Sequence, residues 1–427
     1  MSESKITVLT QNCWGLKYVS KLRRERVEAL SVELASSDEY DIINLQEIWV
    51  FADYEHIRDS VSKRLPYSKF FYSGALGAGL AILSRFPIVG STCNPYSLNG
   101  LPIDVTGGDW FVGKAAASVV IDHPILGEVQ VFNTHFYAKG GDTYAHRLVN
   151  AWEFSKLVKQ ASQMGRYVIA AGDFNSTPTD LVTTIIREYT DLSDSWIVTH
   201  PSGNYSPNIR PEAQAAVDQY GVTADTPLNS WSVRFEQKRL DYVWYRNPSQ
   251  KSKDKYPSLR CADCVVALRH QIPGKNYSFS DHFAVKSTLM IDQPPATFID
   301  SAPADPSSGV WSEQHMDLSD ASITEILQSL ASCYRISKRR SQRELYTFVA
   351  CILGLIAIAV GSAWFPFPWI NSIFTIVTVA ISWWGTTLLY EGFVFGNWEC
   401  NALMNIIEEL ELHKKGLETQ AQGGSPH

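Results

Sequence analysis

The sequence predicts a layered α/β sandwich followed by a two-helix membrane hairpin, on three observations. From residue 5 to 291 short β-type runs alternate with helical patterns, as in sheets covered by helices. Four clusters, Gln11-Asn12, Gln46-Glu47, Gly172-Asp173-Phe174-Asn175 and Ser280-Asp281-His282, each sit at the end of an apolar run. A side chain just past a strand end is held rigidly while facing solvent, as a reacting group must be. Finally, Leu345 to Tyr390 contains no charged residue and no histidine.

Strands are expected over 5–12, 41–46, 78–84, 115–122, 128–135, 166–172, 239–245, 262–269 and 282–291, each a short apolar or alternating run bounded by Gly, Pro or Asn. KLRRERVEALSVELA (21–35) places Val27, Leu30 and Leu34 on one helical face with charges opposite. Trp49-Val50-Phe51 and the stretch Pro66–Tyr72 follow candidate strands and either dip into a lipid interface or pack under loops. The catalytic domain is expected over 1–292, with a Pro/Ser-rich linker over 293–312. A juxtamembrane amphipathic helix follows over 313–344. Ser322 and Glu325 have the spacing of a capping box, and Ile323, Ile326, Leu327, Leu330 and Tyr334 share a face that meets either membrane or protein. Two membrane-spanning helices occupy 345–390, broken at Pro366-Phe367-Pro368, since one span needs roughly 20 apolar residues. Residues 391–427 form a tail whose Ile406, Ile407 and Leu410 share a helical face.

With 427 residues the chain exceeds the usual single domain. A formal net charge of −7 argues against a nucleic-acid partner. Seven cysteines are few for this length, and the N-terminus passes directly into a strand-like run, so a reducing, cytosol-facing location is expected. Cys261-Ala-Asp-Cys264 is a lone CxxC without a second pair or nearby ligand histidines, and so a weak redox or zinc motif. Lys338, Arg339, Arg340 and Arg343 precede the first span, which places that end in the cytosol. The expectation is an integral membrane protein with the catalytic domain and both termini cytosolic, in the endoplasmic reticulum, mitochondria or another membrane.

The scattered site has the parts of a metal-assisted phosphoester hydrolase. Oxygen donors from Glu47, Asn12 and Asp281 suit a hard cation such as Mg2+. His282 is the candidate general base, with Asp241 to orient its imidazole. His135, ending the run VQVFNTH, is placed to contact phosphate or the leaving oxygen, and Asp173 and Asn175 to hold the attacking water and a phosphate oxygen. Arg147, in AHRLVNAW, either faces a sugar phosphate or sits in an exposed salt bridge. Gly108 to Lys114 has Walker spacing, but Ala115 replaces the Mg2+-binding Ser or Thr and KAAASVVI reads as a strand. This excludes an ATPase and leaves a surface turn, or a loop whose Asp109 and Lys114 meet substrate or each other.

QNCWG, LQEIW, GDFN, the Asp241-Tyr-Val motif and SDHF, in this order, resemble the DNase I-like endonuclease/exonuclease/phosphatase superfamily. NCWGLKYVSK, GDWFVGK, AHRLVNAW and the hairpin narrow the resemblance to the neutral sphingomyelinase family and its fungal inositol phosphosphingolipid phospholipase C branch. The resemblance implies a four-layered DNase I-like α/β sandwich with Glu47 as Mg2+ ligand and His282 as base, and gives Asp173, Asn175, His135 and Asp241 the roles above. Asp109 and Lys114 match an aspartate–lysine pair that switches the site on when anionic phospholipid binds. It further implies cleavage of inositol phosphosphingolipids in the membrane to ceramide and the phosphorylated inositol head group. Sphingomyelin, releasing phosphocholine, is the alternative substrate. Two positions depart from the family pattern: Tyr137 stands where some relatives carry a second histidine, and GDFN replaces GDLN.

Overall fold

The computed structural model describes residues 4–105, 107–201, 211–249, 256–294 and 317–423. The linker expected over 293–312 lies almost wholly outside the described residues.

Among the described residues twelve strands form two six-stranded mixed sheets. The first runs β11 (Ser258–Ala267), β12 (Ala284–Asp292), β1 (Lys5–Asn12), β2 (Ile42–Gln46), β4 (Leu80–Ser84) and β3 (Tyr67–Phe71). The second runs β5 (Ile88–Pro95), β6 (Ala115–His123), β7 (Gly127–His135), β8 (Tyr167–Asp173), β10 (Asp241–Arg246) and β9 (Ser193–Asp194). Only β1–β2 and β7–β8 pair in parallel; the other pairs are antiparallel. The sheets stack face to face: Ile6, Val8, Ile42 and Ile82 of one share a buried cluster with Val119, Val131, Ile169 and Val243 of the other. On the outer face of the first sheet, Leu9, Ile43 and Leu83 pack with Val27, Leu30 and Leu34 of α1 (Arg23–Ser36) and Ile57 of α2 (Phe51–Val61). Phe154 of α3 (Tyr144–Gln163) meets Phe132 edge-on at 5.7 Å on the outer face of the second. These are the four expected layers.

Several local expectations need correction. Pro66–Tyr72 is mostly strand β3, with Phe70 and Phe71 buried, and Phe51 opens α2 with its ring 5.4 Å from Phe70. Phe70 and Phe71 pack inward, while Phe51, Tyr67 and Tyr72 stay exposed. β11 starts earlier than the alternation suggests because a bulge between Cys261 and Asp263 breaks the period-two pattern. Cys261 and Cys264 are free, buried thiols of this strand.

The compact units interleave in sequence. One comprises residues 1–99, 111–138 and 150–318; the other comprises 100–110, 139–149 and 319–427. In the second, α7 (Asp320–Ser362) is one continuous 43-residue helix, so the juxtamembrane helix and the first apolar stretch are a single element. Its cap is Ser319, whose Oγ accepts from Ser322 N at 3.1 Å, three residues before the expected capping box. Ile323, Ile326 and Leu330 are buried within the protein. The short helices α4 (Leu181–Thr190), α5 (Ser195–Thr199) and α6 (Ala213–Tyr220) belong to the first unit, and α8 (Ile370–Leu389) and α9 (Gly396–Gly423), joined by a π-helical turn at Tyr390–Phe395, to the second. No residue in the apolar stretch of α7 is buried, and both it and the helix from Ile370 are long and apolar enough to cross a membrane. The protein is membrane-associated through this hairpin.

Candidate active site

The site forms where inward-facing positions of the stacked strands change from apolar to polar. In β1 one face carries Ile6, Val8, Thr10 and Asn12; in β7 it carries Val129, Val131, Asn133 and His135; in β8, Ile169, Ala171 and Asp173. Beneath the site the sheets are stitched by amides. Gln46 Nε2 donates to Thr10 Oγ1 at 2.9 Å and Asn133 Oδ1 at 2.7 Å, and Asn133 Nδ2 donates to the carbonyls of Leu45 and Ala81, each at 2.9 Å. Hydrogen bonds of this kind, buried in low dielectric, tie the two sheets in register.

The register sets out the reacting groups. Asn12 lies opposite Gln46, so Glu47 follows directly, while Asp173 is opposite both His135 and Asp241. Ala224 makes a bridge to His282. His282 Nδ1 lies 2.8 Å from Asp241 Oδ2, which also accepts from Thr223 Oγ1 at 2.6 Å. The same ring atom is 3.9 Å from Asp173 Oδ2. Asn12 Nδ2 donates to Glu47 Oε1 at 3.2 Å and Asp173 Oδ2 at 3.0 Å. His135 Nε2 lies 3.6 Å from Asp173, 3.9 Å from Glu47 and 3.2 Å from Lys114 Nζ. Asn175 Nδ2 and Lys114 Nζ both donate to Phe136 O, at 3.0 and 2.8 Å.

Three of these positions bend left-handed without being glycine: Trp14 (φ 46), Glu47 (φ 53) and Asn175 (φ 48). Each such bend costs on the order of 1 kcal/mol and is held here by a specific contact: Trp14 N to Asn12 Oδ1 at 2.9 Å, Gly15 N to Glu47 O at 2.9 Å, Asn175 N to Asp173 Oδ1 at 2.9 Å. Two glycines permit the approach. A Cβ on Gly15 would fall 2.4 Å from Glu47 O, and one on Gly172 2.1 Å from Thr134 O. The glycines of QNCWG and GDFN are therefore packing requirements of the site.

Burial, then the charge of Asp281, pushes Glu47 up to about 7. Burial, then Asp241, pushes Asp173 up to about 6. Asp281 is also raised, chiefly by burial. His135 is held well below the usual histidine value by burial, Lys114 and His282, so it is neutral. For His282 burial opposes protonation, but Asp241 and Asp173 overcome it and raise the imidazole well above its ordinary value. Such a crowd of buried and half-buried carboxylates, raised by one another and by desolvation, is a donor set short of positive charge. Oxygen donors of this kind fit a hard cation.

Asn12 Oδ1 accepts from Trp14 N–H, and its Nδ2 donates to the carboxylates of Glu47 and Asp173. Lys114 is buried against His135, which removes the surface-turn alternative, and β6 follows it as a strand. Asp109 and Arg147 belong to the other compact unit, where the Arg147 guanidinium stands 5.3 Å over the Tyr144 ring. Sequence reasoning missed Thr223 and Arg26. Nothing around Thr223 marks it, since its partner Asp241 is remote in sequence. Arg26 is buried and donates to the carbonyls of Cys13, Trp14, Lys21 and Phe279; a charged residue on the same face as Val27 and Leu30 was the available signal.

Residues 9–282 match the Endonuclease/Exonuclease/phosphatase family, and the chain belongs to it. Within it, the chain is 36% identical over 433 residues to the inositol phosphosphingolipids phospholipase C of Schizosaccharomyces pombe, covering 96% of this chain and 94% of that protein. It is 31% identical to the Saccharomyces cerevisiae protein of the same name, over 95% of this chain and 89% of that one. Human sphingomyelin phosphodiesterase 2 is 29% identical, over 68% of this chain and 66% of its own.

Proposed function

We propose that the protein is a membrane-anchored, Mg2+-dependent phospholipase C that cleaves inositol phosphosphingolipids to ceramide and the phosphorylated inositol head group. The observation that carries this reading is the extent of similarity. The two phospholipases C align over nearly the whole chain, hairpin region included, whereas the sphingomyelin phosphodiesterase aligns over about two thirds.

His282 acts as general base: Nδ1 is fixed by Asp241, leaving Nε2 to take a proton from the water that attacks phosphorus. Asp241 and Asp173 hold the imidazole above its ordinary value, and a cation held by the neighbouring carboxylates would lower it towards a useful basicity. Asp173 and Asn175 orient the water and one phosphate oxygen. Neutral His135 accepts from the Lys114 ammonium at Nε2, and the pair stands where the phosphate or the departing ceramide oxygen would lie. Glu47 and Asp281 would hold the ion, with Asn12 steadying Glu47. When bound, Mg2+ supplies neutralisation of phosphate charge.

The cytosolic side carries the catalytic unit and both termini, as the basic run before the first span directs. Anionic phospholipid activates through Asp109 and Lys114; the seat of Lys114 against His135 supports this. Mass spectrometry of products from mixed sphingolipids tests the reading: ceramide with inositol phosphate is expected. Phosphocholine as the preferred product would move the assignment to sphingomyelin.

A further inference from the structure

The first compact unit exposes apolar side chains on two ordered loops that rise from the active site itself. Gly15–Leu22 leaves Asn12 through Trp14, and the loop from Asp225 to Gln237 leaves Ala224, the bridge partner of His282. The two loops touch, with the Trp14 and Trp231 rings 5.2 Å apart. Arg26 stands 4.6 Å over Trp14, and Trp231 Nε1 donates to Ser278 O at 2.9 Å.

Neither loop is loosely built. Ser20 N returns to Leu16 O at 3.0 Å, and Leu16 N donates to Ser20 Oγ at 2.9 Å. The Asp225 carboxylate accepts from Ser232 Oγ and from the backbone N–H groups of Arg234, Phe235 and Glu236, all within 3.1 Å. Asn229 Nδ2 ties the second loop to Ser280 O at 3.0 Å, two residues from His282. Yet Tyr18 is 89% exposed, Val19 69%, Val233 83% and Phe235 49%. Ordered backbone that holds apolar side chains in water on both sides of a site marks a binding surface.

Charge identifies the partner. Lys17, Lys21, Arg24 and Arg234 are exposed beside these tips and make no ion pair among the described residues. The nearby acids are already engaged, Glu25 with Tyr277 and Lys275, Glu236 with Lys238. Apolar tips ringed by cations suit the boundary between lipid tails and phosphate head groups. A protein partner would instead be expected to meet a wider apolar core with a mixed rim.

We propose that Gly15–Leu22 and the 225–237 loop form the lipid-docking rim of the catalytic unit. Tyr18, Val19, Val233 and Phe235 enter the bilayer interface, and Lys17, Lys21, Arg24 and Arg234 contact phosphate head groups. This rests on the lipid-substrate reading above and adds the surface by which the site reaches that lipid.

The test uses the full chain in vesicles of phosphatidylcholine with phosphatidylserine. A cysteine replacing Tyr18 or Val233 carries an environment-sensitive fluorophore, with the incompletely buried Cys93, Cys351 and Cys400 changed to serine. Nitroxide lipids labelled near the head group should quench either probe; unquenched probes at both positions overturn the rim, whatever the substrate proves to be. With the activity, Tyr18→Ser/Val19→Ser and Val233→Ser/Phe235→Ser should each lower hydrolysis of bilayer sphingolipid at least about tenfold, leaving a short-chain soluble analogue within twofold of the parent. Equal loss on both substrates, or none on bilayers, overturns the proposal. A parent that binds through the rim but hydrolyses no sphingolipid overturns the functional reading instead.

Discussion

Gly172→Ala tests how tightly the strand ends are set. Gly172 has φ +148, and its added Cβ would lie 2.1 Å from Thr134 O, 2.9 Å from Thr134 N and 3.0 Å from Thr134 C. All three are backbone atoms of the registered neighbour in the β7–β8 ladder, one step before His135 and Asp173. No side-chain rotation relieves the overlap, so the strands must part by about 1 Å to reach ordinary contact. The strain and the disturbed ladder should cost about 3 kcal/mol. A displacement of about 1 Å at the reacting groups can lower turnover by roughly a hundredfold. Thermal unfolding in detergent and kcat on a soluble substrate read both effects. Gly416→Ala in α9, where an added Cβ meets nothing within 4 Å, is the control and should be neutral or stabilising by up to about 1 kcal/mol. Parental Tm and kcat in Gly172→Ala would refute the packing argument.

Other outcomes follow from the same geometry. His282→Ala should lower kcat by about 10²–10⁴-fold; a change confined to KM would make it a binding group. Glu47→Gln keeps the size of the side chain and should weaken Mg2+ at least about tenfold by calorimetric titration, while unchanged affinity would remove it as a ligand. Arg26→Leu strips the donors from four carbonyls around the site and should cost roughly 3–5 kcal/mol in denaturant unfolding; a loss under about 1 kcal/mol would mean water replaces it readily. For Asp225 burial opposes ionisation, but Ser232 and the backbone N–H groups of 234–236 hold it to about 2. Its folded value lies below its unfolded one, so its stabilisation is present above about pH 4 and is lost as pH falls through about 2. Asp225→Asn should therefore loosen hydrogen exchange in the 225–237 loop at pH 7 and differ little from the parent near pH 2; equal protection at pH 7 would contradict the clamp.

The layered fold could be read from sequence because its strands are short apolar runs, with polar residues gathering where they end. Thr10-x-Asn12 and Asn133-x-His135 put the supporting amide or hydroxyl on the same face as the functional group. Helix α1 was equally plain from Val27, Leu30 and Leu34. Edge strand β5 was not, because IVGSTCNP has no alternation to betray it and is largely exposed or half-buried. The continuity of α7 was hidden by its change from charged to apolar composition midway, although no helix breaker lies there. The direction of the Asn12 amide depends on the left-handed bend at Trp14, which no spacing reveals. Thr223 and Arg26 act through partners far away in the chain, as does the contact of Lys114 with His135.

The central claim is that water, deprotonated by His282, attacks phosphorus and expels ceramide. Hydrolysis of inositol phosphoceramide in ¹⁸O-enriched water, followed by mass spectrometry of both products, tests it directly. The account predicts one ¹⁸O in the inositol phosphate and none in the ceramide. Label in the ceramide would place cleavage at carbon, and a cyclic inositol phosphate as the first product would replace the water by a substrate hydroxyl; either result contradicts the account.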